Sequence, residues 1–452
     1  MKFSRSLTVL TAITITFAIA PLSTRSQDAA ATRMEEIIQS YVADKQFMGT
    51  VLVARDQTVL LDKAYGFANL EWSIPNTPTT KFRLGSLTKQ FTSASIFLLQ
   101  ERGKLKIDDP VKKYVPDAPA TWDKITIYNL LTHTSGIPSF TSFPDYHSSE
   151  AIPATPEQLV ARFRDKPLEF QPSEKWNYSN SGYVLLGYLI EKISGQSYEK
   201  FLQENIFTPL GMKNTGYDSN SEIIVHRAYG YTPGKVSVEN AGYIDMTIPF
   251  SAGALYSTTE DLLRWEQGLF GGKIISAASL TKMTTPFLND YACGVFVHVD
   301  DGHKVIDHGG GIEGFNTQLS YYPDDKLTII ALGNLNGSAP DAIATNIAAA
   351  IHGEKVVLPS ERKEIKVPTT VLSRYVGDYQ LSPNFVLSVR LEGDQLITKL
   401  TGQGDVNIYP ESETLFFPKD IDAEIEFVKN SKGEVTHLIL HQNGHDTKGE
   451  KK

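Results

Sequence analysis

Apolar and polar positions divide the chain into a mixed helix-and-strand region and a later strand-only region. Residues 34–43 carry Met34, Ile37, Ile38 and Tyr41 at helical spacing, so they predict an amphipathic helix. Residues 49–54 and 58–65 read as strands. Near position 350 the order is mirrored. Strands are expected over 292–299, 304–307, 317–322 and 327–332, then a helix from about 340 to 351. The pattern between these ends is mostly helical, which predicts an α-helical insertion between strands of one sheet. Ser257-Thr258-Thr259-Glu260 has a capping-box pattern opening 262–269, and Thr155-Pro156-Glu157 opens a helix through Leu159 and Phe163. Residues 139–155, with Phe140, Phe143, Tyr146 and His147, read as a long loop of the kind that is often functional; a disordered connection is the alternative, and the aromatics speak against it. Residues 353–370 are charged, contain proline and lack periodicity, as a linker does. Short strands over 384–391, 395–400, 405–409, 413–417, 424–428 and 435–440 then predict a small all-β barrel or sandwich within 371–445. Residues 446–452 read as a tail.

A length of 452 residues suggests two or three domains, and 41% hydrophobic with 21% charged residues is a folding composition. A net charge of -9 argues against a nucleic-acid partner, because the last residues (Lys448, Lys451, Lys452) hold the only basic cluster and read as solvated. Lys2 and Arg5 precede an uncharged apolar stretch over 7–20 and then small residues, the pattern of an export signal. Fourteen residues are too few to cross about 30 Å of hydrocarbon as a helix, so no stable membrane span is expected. Cleavage is expected after Ala20 or before Gln27; removing residues 1–26 takes away Lys2, Arg5 and Arg25 and brings the charge to -12. The only cysteine, Cys293, lies in an apolar strand-like run and reads as a buried structural thiol. An exported chain without disulfides fits a bacterial periplasm or secretion route.

The candidate chemistry begins at Ser86-Leu87-Thr88-Lys89, which opens an apolar helix over 91–100. A serine and a lysine three apart share a helix face, and the serine then sits at the positive end of the helix. A neighbouring amine can draw the proton from its hydroxyl. Alone the pattern is weak, since an N-cap serine with an exposed lysine produces it too. Two further motifs change its weight. Tyr178-Ser179-Asn180 precedes the apolar helix 182–193; a phenol is a poor base unless cations such as Lys89 stabilise its phenolate, and Asn180 offers an amide to a substrate carbonyl and to the lysine. His308-Gly309-Gly310-Gly311 follows a strand, where glycines let a substrate lie against the edge and the N–H of Gly311 can join that of Ser86 in an oxyanion hole.

In this order the three motifs resemble those of the serine β-lactamases and penicillin-binding proteins. The likeness is strongest to the class C branch and its D-alanyl-D-alanine carboxypeptidase, D-aminopeptidase and family VIII esterase relatives, over about residues 32–350. Phe82 to Lys89, Leu130-Leu131-Thr132-His133-Thr134-Ser135-Gly136, Pro209-Leu210-Gly211-Met212 and Ala252-Gly253-Ala254-Leu255-Tyr256-Ser257 support it. The resemblance implies an α/β (α+β) fold: an antiparallel sheet flanked by helices with a helical insertion, spanning 27–352. It also implies an accessory β-domain after residue 370. Ser86 becomes the acylated nucleophile, Lys89 its proton partner and Tyr178 the general base. Asn180, His308 and Gly310 become substrate-binding residues, and Ser86 and Gly311 the oxyanion hole. Where β-lactamases of this branch have lysine, this chain has His308. Carboxylate-bearing substrates are therefore expected to lose affinity as pH rises through the histidine's pKa.

No cofactor or metal is expected: His437, His441 and His445 are evenly spaced but lack Cys or acidic companions at ligand spacing. His133 reads as a packing residue around the site, and no Gly-x-Ser-x-Gly elbow points to an α/β-hydrolase. The favoured function is hydrolysis of a small-molecule or peptide amide or ester. The alternatives are a penicillin-binding sensor that acylates with little turnover, a binding module working through 371–445, or a true β-lactamase.

Overall fold

The computed structural model describes residues 22–358, 361–382, 385–401, 404–418, 423–442 and 445–452. The segment read as an export signal lies, up to residue 21, outside the described residues. Helix α1 (Leu22–Ala43) leads into strands β1 (Gly49–Arg55) and β2 (Thr58–Tyr65). After the insertion come β3 (Phe296–Asp300), β4 (His303–Ile312), β5 (Phe315–Tyr322) and β6 (Leu327–Gly333), then helix α2 (Ala339–His352). These strands form one antiparallel sheet in the order β3-β4-β5-β6-β1-β2.

Alternation along the central strands sends side chains to two cores. Val51, Val53, Ile329 and Ala331 pack with Met34, Ile37 and Ile38 of α1 and with Ile343 and Ile347 of α2. Leu52, Ala54, Ile330 and Leu332 face the other way, into the larger core built by the insertion. Because both faces are covered, β1 and β6 are apolar at nearly every position, as the sequence shows. The insertion is mainly helical and also carries short strands, among them a three-stranded piece of Phe82–Arg83, Leu255–Ser257 and Gly216–Tyr217. Residues 292–295 are not strand: Ala292 N–H donates to Val295 O across a turn that buries Cys293, whose thiol burial pushes up to about 12. The capping box expected at 257–260 does not form: the helix starts one residue later, capped by Thr258, whose side chain accepts from the Asp261 N–H.

The C-terminal region is a closed eight-stranded barrel, which resolves the barrel-or-sandwich alternative. Its strands are β7 (Gly377–Ser382), β8 (Phe385–Glu392), β9 (Gln395–Leu400), β10 (Asp405–Pro410), β11 (Leu415–Pro418), β12 (Ala423–Lys429), β13 (Val435–Gln442) and β14 (His445–Lys451). Residues 446–452, read as a solvated tail, instead supply the closing strand. β14 pairs along β13 and, at Lys451 and Glu450, with Tyr379 and Gln380 of β7. Deleting residues 445–452 strips a partner from both neighbours and opens the barrel. The expected result in calorimetry is loss of the barrel's own melting transition while that of the sheet-and-helix region persists; unchanged melting would show that closure contributes nothing. Between the two regions, Arg33 makes a paired contact with Glu361 and donates to Val356 O, and Arg362 bridges Glu411 and Glu424 of the barrel.

Candidate active site

The segment before Ser86 is fixed at several points. Phe82–Arg83 pairs with Leu255–Ser257, Leu84 N–H donates to Leu255 O, and Arg83 joins the fully buried Asp218, which Arg227 also engages. Gly85 takes the left-handed φ of +54°, which a residue with Cβ adopts only under strain. One 3-10 turn (Gly85–Leu87) then runs into helix α3 (Thr88–Glu101). Ser86 therefore stands at the helix N-terminus, half-buried, with Lys89 on its face and wholly buried.

Lys89 Nζ lies 2.9 Å from Ser86 Oγ, 2.9 Å from Asn180 Oδ1 and 2.8 Å from Ala252 O. The last two atoms can only accept. A neutral amine satisfies this set with two N–H donors and one lone pair, and the lone pair then faces the serine hydroxyl. Burial acts in the same direction, driving the Lys89 pKa well below its ordinary value. Asn180 opens helix α4 (Asn180–Ser194), which Ser179 caps. Its N–H donates to Ser139 Oγ and its Nδ2 to Thr141 Oγ1, so the aromatic-rich loop after residue 138 holds the asparagine in place.

The Tyr178 hydroxyl faces Ser86, and the Tyr178 ring lies 4.8 Å from Lys89 Nζ. Burial raises the phenol's pKa, a shift that the nearby Ser86 hydroxyl only partly offsets. His133 packs 4.2 Å from the Tyr178 ring and accepts the Ser179 N–H at Nδ1, which places its own proton on Nε2. It is buried and at φ +55°, so the packing role read for it becomes specific: it seats the Tyr178–Asn180 corner from below.

His308 lies on β4, where β3 has already parted from it; their pairing ends at Phe296 with Asp307, leaving the β4 edge from His308 onward open. The imidazole is buried against Tyr178, Tyr291 and Phe296, with Nε2 3.2 Å from the Tyr291 hydroxyl. Burial first, and Lys89 second, lower its pKa to about 3. This corrects the expectation of a pH-gated cation: His308 is neutral throughout the working range. In the unfolded chain it titrates near about 6.5. As pH falls below that value the unfolded state gains a proton that the native state does not, and this contribution to stability is lost progressively towards about pH 3. Matched neutral and carboxylate-bearing substrates are expected to give parallel kcat/KM profiles across pH about 5.5 to 7.5. A fall for the carboxylate substrate alone near 6.5 would show a charged His308.

Gly310 and Gly311 bring β4 against the nucleophile turn: a Cβ on Gly310 would meet Leu84 O at 1.9 Å, and one on Gly85 would meet Gly311 N at 2.9 Å. The seven sequence-derived residues thus converge on one place, Lys89 and His308 as buried supports and Ser86, Asn180 and Gly311 at an opening. A cavity of about 80 Å³ adjoins Ser86, bounded by Gly85, Asn180 and Gly311 and by Phe140, Tyr146 and Glu313. That is far below the roughly 300 Å³ of a drug-sized pocket and suits a small acyl group. A larger cavity of about 1020 Å³ along Gly309 and Gly310 includes neither Ser86 nor Lys89 and is not the reaction site. Sequence reasoning missed Tyr291, Thr141, the Ala252 carbonyl and Glu313. Only Thr141 and Ala252 lay in segments that had drawn notice; Tyr291 stands in a loop with no motif.

A serine, a buried lysine, a tyrosine and an open strand edge in this arrangement define a serine hydrolase of the β-lactamase fold. Residues 34–354 match the Beta-lactamase family, and residues 361–451 match a domain of unknown function (DUF3471). The chain belongs to the Beta-lactamase family. It is 31% identical over 439 residues to penicillin-binding protein 4* of Bacillus subtilis (strain 168), covering 91% of this chain and 96% of that protein. The octameric penicillin-binding protein homologue from Pyrococcus abyssi superposes with a TM-score of 0.67 at 25% identity, over 95% of this chain and all of that one. A D-stereospecific amidohydrolase from Streptomyces sp. does so with a TM-score of 0.61 at 25% identity, over 72% of this chain and 99% of that one.

Proposed function

We propose that the protein is an exported hydrolase that cleaves a small amide or ester through a covalent acyl-Ser86 intermediate. The observation that carries this reading is the buried Lys89, with two of its three partners acceptors and the third the Ser86 hydroxyl. The neutral amine takes the Ser86 proton as Oγ attacks the carbonyl carbon, and the N–H groups of Ser86 and Gly311 receive the charge developing on the carbonyl oxygen. Tyr178, held as a phenol by burial, gives its proton to the leaving group as it takes the one that Lys89 drew from Ser86. In deacylation Lys89, neutral again, takes the proton of the attacking water and returns it to Ser86 Oγ as the acyl bond breaks, so no free phenolate is needed. A penicillin-binding protein and a D-stereospecific amidohydrolase among the relatives favour amide-like acyl groups.

The test is intact-mass and peptide mapping after exposure to a p-nitrophenyl ester and to benzylpenicillin, followed in time. An adduct on Ser86 that appears and decays is the expected result; an adduct that persists for both reagents makes the protein an acylating sensor, and one on another serine removes the assignment. Export rests on the basic and apolar start of the sequence. It is checked by N-terminal sequencing of the protein from a secreting host, with a new terminus expected near residue 21 or 27.

A further inference from the structure

Around the nucleophile, the charge is not where the motif suggests. Among the described residues lining the cavity at Ser86, Glu313 alone is charged, and no lysine, arginine or histidine side chain joins it. Its Oε2 is buried without a hydrogen-bond partner. Glu150 and His147, on the short helix Tyr146–Ser149 and its cap, and Arg83 act on it, and Glu71 and Arg227 line a second cavity that it also borders. Arg83 and Arg227 are already committed to Asp218, His147 to Glu150, and Glu71 to the Tyr231 hydroxyl.

The turn that carries the carboxylate is also rigidly placed. Glu313 and Gly314 form the two-residue turn between β4 and β5, since Ile312 pairs directly with Phe315. Gly314 takes φ +81° and packs so closely on Gly230 that a Cβ would come within 2.3 Å of Gly230 Cα. The Asn336 side chain clamps the turn, accepting from Gly314 N–H at 2.8 Å and donating to Ile312 O at 3.1 Å. Glu313 follows Gly311 by two residues, roughly 7 Å of strand. A group attached next to a carbonyl held at Gly311 falls within reach of it.

We propose that Glu313 is the specificity-determining residue of this site and selects acyl groups that carry a free α-ammonium, so that the substrates are aminoacyl amides or esters. This rests on the acyl-Ser86 reading of the site. The ammonium supplies the donor that the buried oxygen lacks, in a charge-assisted hydrogen bond. A substrate carboxylate at the same position is repelled, and the neutral His308 offers it no compensation. Burial raises the Glu313 pKa in the empty site, with Glu150 adding to the rise, and an arriving cation reverses that shift.

The experiment compares alanine p-nitroanilide, in both enantiomers, with its N-acetyl and N-succinyl forms near pH 7, where an α-amino group is largely protonated. For the wild type, kcat/KM is expected to favour the free amine over the N-acetyl form by at least about 10-fold, mainly through KM. Glu313→Gln is expected to shrink that ratio by about 10- to 100-fold, and Glu313→Lys to turn the preference towards the succinyl substrate. Calorimetric binding of alaninamide and N-acetylalaninamide to Ser86→Ala reads the same preference without turnover. A wild-type protein without amine preference in either assay, or a ratio that Glu313→Gln leaves unchanged, overturns the proposal. Amine-selective binding to Ser86→Ala with no wild-type turnover upholds the recognition and sinks only the hydrolase reading.

Discussion

Ser86→Ala is expected to abolish turnover and the acyl adduct, and Lys89→Met to slow acylation by about 10³-fold, within the range for a positioned general base. The methionine is chosen because Lys89 is wholly buried, so a smaller residue would add a cavity to the loss of chemistry. It removes the lone pair facing Ser86 and leaves Asn180 Oδ1 and Ala252 O without their donor. Tyr178→Phe is expected to cost less, about 10²-fold, because burial keeps the phenol protonated and confines it to relaying protons. The double variant should be little slower than Lys89→Met alone, since groups on one proton path do not add. Stopped-flow acylation by a p-nitroanilide, whose leaving group needs a proton as a p-nitrophenolate does not, measures all three. A Tyr178→Phe protein slower than Lys89→Met would return the base role to the tyrosine, as the family resemblance first implied.

The reactive residues were legible because each stands in a motif tied to an element boundary: Ser86 and Lys89 at one helix start, Asn180 at another, and Gly310 and Gly311 on a strand end. Their charge states were not. His308 looked like a switch until its burial among Tyr178, Tyr291 and Phe296 was seen, and none of these neighbours is near it in the chain. Glu313 gave no signal for a related reason: an acidic residue before a glycine is an ordinary turn, and only the folded hairpin carries it to Ser86. The central sheet was readable because it is buried on both faces and its strands are apolar runs. The barrel's first and last strands were not, although its middle strands alternate clearly. β14 reads His-Asp-Thr-Lys-Gly-Glu-Lys, with no apolar side chain at all. Among its described positions the buried one is Gly449, where a Cβ would meet Leu381 at 2.9 Å and both Leu438 and Tyr379 at 3.2 Å, so neighbouring side chains fill the interior that this position leaves empty. Hydrophobic periodicity has nothing to detect in such a strand.

The glycine run after His308 has a reason other than room for a substrate, and it leads to a graded expectation. A Cβ on Gly310 would lie 1.9 Å from Leu84 O and 2.4 Å from Thr317 Oγ1; the first is backbone, two residues before Ser86, and the second is a buried hydroxyl already donating to Leu84 O. Gly310→Ala must therefore push the nucleophile turn and β4 apart. A displacement of about 1 Å at a reacting group is enough for a loss of about 10²-fold, and the overpacking itself costs about 1–3 kcal/mol. Gly309→Ala meets the Gln318 amide oxygen at 3.0 Å, on a buried side chain tied to Asp307 and Ser320; a side chain yields more readily than the Leu84 backbone, so it should cost less than Gly310→Ala. Gly311→Ala finds Asn316 Nδ2 at 3.4 Å, an ordinary contact, and keeps the N–H assigned to the oxyanion hole, so it should be the mildest. The expected order of damage is Gly310, then Gly309, then Gly311, measured as kcat/KM on a neutral ester with melting temperatures beside it. A Gly310→Ala protein that works as well as Gly311→Ala would mean that the close approach of β4 to Leu84 is not what sets the geometry at Ser86.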